Sequence, residues 1–185
     1  EHLVADMAAA YGCDVMRVYA TGFSNGGAYT CQQATTRPWL FAAVSPWNAP
    51  PAEAISGSNM GDYFYHPSFA AGDYELPFFI VTGDCDDKGV TDRTADLPEV
   101  LPPNGCTLES EQVWDGSNRY TAEKGYTQGE RIRSRVFCNA QGSPRVGLTV
   151  ARDMPHGAIA DEARAAWEFM GRFRRSEGSK MVEEI

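Results

Sequence analysis

No apolar run in this chain of 185 residues approaches the roughly 20 needed to cross a bilayer, so a membrane-spanning helix is not expected. Basic residues are scarce: 16 Lys and Arg stand against 25 Asp and Glu, a net charge of -9. Binding to phosphate needs Lys and Arg clustered on one face, so nucleic acid and anionic membrane surfaces are disfavoured as partners. Neutral substrates fit better. The five cysteines, Cys13, Cys31, Cys85, Cys106 and Cys138, form no CxxC pair and show no Cys/His ligand spacing, which argues against a structural zinc site. They read as small buried hydrophobes in preference to disulfide partners, and their odd number leaves a free thiol in a monomer. No nucleotide-binding loop is present, and neither a metal nor an organic cofactor is expected.

What is present is enough apolar sequence, 43% of residues, to bury one sizeable core and too little length for two ordinary domains. The opening EHLVADMAAAYG reads as an amphipathic helix, with Leu3, Val4, Met7 and Ala8 at helical spacing and Gly12 as its stop, and not as a signal peptide. Because the chain begins at Glu1, its true N-terminus is expected to be absent, and secreted and cytoplasmic locations both stay open.

Residues 16–22 form a compact run ending in glycine, and a helical stretch follows FSNGG until Pro38 ends it. This predicts strand, tight turn, helix. Short buried strands are predicted over 41–45 and 78–82, the second of which, FFIVT, carries the strongest strand signal in the chain. Two alternating runs, 131–139 and 145–152, surround the turn at 140–143 and predict a strand pair. Ile159, Ala163, Ala166, Trp167, Met170 and Phe173 are predicted to share one face of a final helix. Two segments, 48–76 and 90–129, lack a clear period and read as irregular insertions. Residues 1–175 thus read as one domain and 176–185 as a frayed polar tail.

Gly22-Phe23-Ser24-Asn25-Gly26 matches G-x-S-x-G in the strand-to-helix context that the motif requires. Such a turn lifts a serine hydroxyl out of the sheet, and its glycines relieve backbone crowding. Ser24 is the candidate nucleophile. The backbone N–H of Asn25, at the positive end of the following helix, is the candidate oxyanion donor. A serine hydroxyl needs a positioned base. In chain order nucleophile, acid, base, His2 comes too early, His66 lies in an irregular segment before any candidate acid, and His156 follows a strand and precedes a helix. The acid should leave a strand end, where GDCDD offers Asp84, Asp86 and Asp87. Aspartates in such a loop can equally be solvated or turn-forming. Trp47, at the end of the 41–45 strand, and the aromatics between Tyr63 and Tyr74 are candidates for a wall or lid over substrate, although core packing explains each as well.

The blocks RVYATGFSNGG, FAAVSP, PFFIVTGDCD and MPHG resemble those of α/β-hydrolase esterases of the polyhydroxybutyrate depolymerase and feruloyl esterase type, over about residues 16–173. The resemblance implies an α/β-hydrolase fold, a mostly parallel sheet flanked by helices. It also implies Ser24 as nucleophile, His156 as base and Asp86 as acid, ahead of Asp87 and then Asp84. The acid loop departs from the family's pattern, as Asp87 stands where a proline is usual. The implied activity is cleavage of carboxylic esters, small or polymeric, through an acyl-enzyme. A serine peptidase of the prolyl-oligopeptidase type would share fold and triad, and a non-catalytic module could keep the elbow as scaffold.

An intact fold of this kind has strands before the nucleophile, and the loop after an early one supplies a second oxyanion N–H. One helix and one strand precede Ser24, so the chain reads as the C-terminal part of such a hydrolase. The 16–22 strand would then present an unpaired edge. That edge is expected to pair with a second copy, in a homo-oligomer, or with upstream sequence.

Overall fold

The computed structural model describes residues 1–49, 73–87, 93–113 and 132–185. Helix α1 (His2–Tyr11) leads to strand β1 (Tyr19–Phe23), helix α2 (Asn25–Thr36) and strand β2 (Ala43–Trp47). Strand β3 (Phe78–Gly83), the one-turn helix α3 (Leu97–Val100), and strands β4 (Glu111–Val113), β5 (Ile132–Cys138) and β6 (Pro144–Ala151) follow. The chain closes with helix α4 (Ala160–Met170) and a small hairpin of β7 (Phe173–Arg175) and β8 (Val182–Glu184).

Among the described residues six strands form one sheet in the order β1-β2-β3-β6-β5-β4. The first four are parallel, and β5 and β4 extend the sheet antiparallel. β3 is buried along its whole length, as a parallel strand covered on both faces must be. Its side chains alternate between two cores. Phe78 and Ile80 join Val44, Leu97 and Leu148 on one face, while Phe79 and Val81 meet Ala165, Phe169 and Phe173 on the other. The mostly parallel α/β architecture expected from sequence is the one observed.

Several local readings are corrected. The inward face of α4 is the predicted one only in part: Ala166 and Met170 are buried as expected, but Ala163 and Trp167 are exposed, Ala165 and Phe169 are buried together with Asp161 and Glu162, and the buried Phe173 belongs to β7 and not to the helix. Ala165, Ala166, Phe169 and Met170 pack in the core, and because residues four apart share a helix face they carry Asp161 and Glu162 inward with them. At the helix start, an end that suits a carboxylate, Glu162 accepts the Ile159 N–H at 2.7 Å. α1 has no buried residue, and Leu3 and Met7 stay exposed.

The segment read as an irregular insertion over 90–129 contains α3, with Leu97 and Val100 buried, and the edge strand β4. The 176–185 tail is not frayed. It returns as β8, buries Val182 and gives that residue's N–H to Glu75 at 2.9 Å. Glu75 also takes the Arg145 guanidinium at 2.6 Å in a buried ion pair. The rest of the 48–76 insertion, His66 and the aromatics from Tyr63 to Phe69 lie outside the described residues. All five cysteines are free; Cys31, Cys106 and Cys138 are buried, Cys13 and Cys85 exposed. Burial pushes the Cys31 and Cys106 thiols up to about 12.

Candidate active site

Ser24 links β1 directly to α2 and has φ 56°, ψ -117°. A positive φ is uncommon for a residue with a side chain and is typical of strained functional turns. The strain is held by neighbours: the Ser24 N–H donates to the Trp47 carbonyl at 2.9 Å and the Ser24 carbonyl accepts the Ala28 N–H at 3.0 Å. Steric demand at the motif falls on its first glycine. A Cβ on Gly22 would lie 2.3 Å from the Gly26 carbonyl oxygen, whereas a Cβ on Gly26 would meet nothing within 4 Å. Asn25 opens α2. Its N–H is among the first amides of the helix, which have no acceptor within it.

The acid loop leaves β3 and the histidine loop leaves β6, neighbouring strands in the sheet. The two loops are stitched together. The Asp84 N–H donates to the Ala151 carbonyl at 3.1 Å and the Cys85 N–H to the Met154 carbonyl at 3.0 Å. The Met154 N–H donates to Asp84 Oδ1 at 3.4 Å. Gly83 permits this approach, since a Cβ there would lie 2.3 Å from the Met154 carbonyl oxygen. Of the three aspartates, Asp84 thus ties the loops and Asp87 is exposed. Asp86 turns inward.

Asp86 Oδ2 lies 2.8 Å from His156 Nδ1, and His156 Nε2 lies 2.9 Å from Ser24 Oγ. The Asp86 side chain is fully buried and the imidazole is 19% exposed. An ionised carboxylate can only accept, so Nδ1 carries the proton and the lone pair of Nε2 faces the serine hydroxyl. Ser24, Asp86 and His156, separated by up to 132 positions in the chain, therefore meet at the C-terminal ends of parallel strands. Open α/β sheets place their sites at such strand ends.

The Trp47 indole is half-buried. It packs on the α4 side of the sheet and donates its N–H to Ser45 Oγ at 2.7 Å, while its backbone carbonyl supports Ser24. Two neighbours of the site escaped the sequence reading. Phe23, 37% exposed, sets its ring 4.8 Å from the His156 ring. Its place as the variable residue after Gly22 was the available signal. Asn48 donates from Nδ2 to Asp86 Oδ2 at 2.9 Å. Nothing local in the sequence marks a contact 38 positions away. Among the described residues no group of three or more His, Cys, Asp or Glu could hold a metal ion.

No protein-family model matches the chain, and no curated protein is similar in sequence. Among solved structures, the chain is similar to SOBER1 from Arabidopsis thaliana, with 16% identity and a TM-score of 0.47 over 92% of this chain and 60% of that one. It is similar to the acetyl xylan esterase from Aspergillus awamori at 16% identity and TM-score 0.46, over 91% of this chain and 64% of that one. For the esterase PE8 the values are 14% and 0.45, over 92% and 56%. The chain therefore spans less than two thirds of the length of each. Likeness at this level says nothing of substrate. In this chain's own geometry, a serine on a strand-turn-helix elbow is followed by an aspartate and then a histidine at the ends of successive parallel strands, the order and placement of an α/β-hydrolase fold.

Proposed function

We propose that the chain is a serine hydrolase of carboxylic esters that works through an acyl-enzyme. The observation that carries this reading is the imidazole of His156, bonded on one side to the Asp86 carboxylate and on the other to the Ser24 hydroxyl. In the proposed reaction Ser24 Oγ attacks the ester carbonyl as its proton passes to His156 Nε2. The Asn25 N–H, at the positive end of α2, stabilises the oxyanion. Collapse of the tetrahedral intermediate breaks the bond to the alcohol oxygen, which leaves with the proton from Nε2. Water then repeats the sequence on the acyl-serine and releases the acid. Asp86 orients the imidazole and stabilises its cation throughout.

An ester in preference to a peptide rests on the likeness of the sequence blocks to polyester and feruloyl esterases. Phe23, beside His156, and the half-buried Trp47 are the proposed apolar surfaces for the acyl group. The test is hydrolysis of a p-nitrophenyl ester and of a peptide anilide by the chain and its Ser24→Ala variant. Ester turnover that disappears with Ser24, without anilide cleavage, is the expected result. Anilide cleavage at a comparable rate would favour a peptidase, and ester turnover that persists in Ser24→Ala would remove the proposed mechanism.

A further inference from the structure

Asn48 follows β2 immediately and takes a left-handed backbone, φ 42°. Asparagine, aspartate and glycine enter that region far more readily than other residues. The turn is fastened on both sides. The Asn48 N–H donates to the Val81 carbonyl on β3 at 2.8 Å, and the next carbonyl, that of Ala49, accepts the buried guanidinium of Arg93, itself paired with Asp96. The side chain is thereby aimed at the acid loop from the neighbouring strand.

The residue is 1% exposed, and its amide nitrogen lies 2.9 Å from the same Asp86 oxygen that faces His156. Its amide oxygen is buried and has no hydrogen-bond partner among the described residues. The orientation is nonetheless forced, because reversing the amide would set that oxygen against a carboxylate. The terminal torsion of an aspartate is broad, and a second donor on the oxygen that faces the histidine restricts it.

We propose that Asn48 is a positioning residue of the acid, helping to hold the Asp86 carboxylate in the plane from which it fixes the His156 tautomer. This rests on the serine-hydrolase reading. Asn48→Gly and Asn48→Asp test it together, because both residues accept the left-handed backbone, one without a side chain and the other with the same shape but the amide donor replaced by a second carboxyl beside Asp86. Three quantities are measured for each: kcat and KM on a p-nitrophenyl ester, the thermal midpoint, and the His156 tautomer from long-range proton–nitrogen spectra of the imidazole, assigned with His156→Ala.

The expected result is a fall in kcat of about 10- to 100-fold, the size that a misplacement of ~1 Å brings. KM should stay within about twofold and the midpoint near that of the parent, with a larger share of the Nε2–H tautomer. Unchanged kcat and tautomer in both variants would overturn the proposal. So would a lowered midpoint with the tautomer preserved, the pattern of a merely structural turn. If the parent chain proves inactive, the hydrolase reading fails, and the tautomer comparison still decides whether Asn48 positions Asp86.

Discussion

At the scale of single residues the site turns on which carboxylate faces the histidine. Asp86 Oδ2 is bonded to His156, whereas Asp84 spans to the Met154 amide and Asp87 is exposed. Asp86→Asn would keep the shape of the side chain and favour the wrong imidazole tautomer, which in a triad costs on the order of 10⁴-fold in kcat. Asp87→Asn should leave ester turnover within a fewfold of the parent. Steady-state kinetics on the two variants checks this, and a large loss at Asp87 with little at Asp86 would reverse the assignment. The resemblance pointed to the aspartate that the structure sets beside His156. Asn48 was not, because its partner is brought near by the pairing of β2 with β3, a tertiary event with no local trace.

Among the elements, legibility followed how local each signal is. The nucleophile strand, its turn and the helix after it are a continuous string, and the structure sets β1 at Tyr19–Phe23 and α2 at Asn25–Thr36 within a few residues of the expected bounds. The FFIVT run became β3 because it must be apolar on both faces. The face of α4 was legible in part: Ala166 and Met170 face inward as expected, but the full apolar set with Ala165 and Phe169 turns Asp161 and Glu162 inward, carboxylates whose charge argues for the solvent side. The tail was misread because its polar residues are held by long-range partners: Glu75 for the Val182 amide and Arg172 for Glu184.

One element-scale consequence concerns the close approach of the acid and histidine loops. In Gly83→Ala the new methyl carbon would need the space of the Met154 carbonyl, 2.3 Å away, so the loops must part. Ester turnover should fall at least tenfold while the far-ultraviolet circular dichroism of the sheet is kept. Parent-level turnover in Gly83→Ala would show that the stitched loops do not set the triad distances.

For the whole molecule, the unequal edges of the sheet matter most. At one end β4 is short and carries Glu111 paired with Arg135, charges that discourage further pairing. At the other end β1, the strand that delivers Ser24, is the last in the order. Among the described residues no strand pairs with the outer edge of β1, so this edge should take up a strand from upstream sequence or, in the chain by itself, from a second copy. Sedimentation should then report a species larger than 20.3 kDa, with slow hydrogen exchange at the β1 amides. A monomer with fast exchange there would rule out the pairing. The central claim, that Ser24 is an activated nucleophile, is reached most directly by treating the folded chain with a fluorophosphonate and mapping the adduct by mass spectrometry. Labelling at Ser24 that is lost in both Ser24→Ala and His156→Ala is the result this account requires. A folded chain that stays unlabelled, or labels equally well without His156, would contradict it.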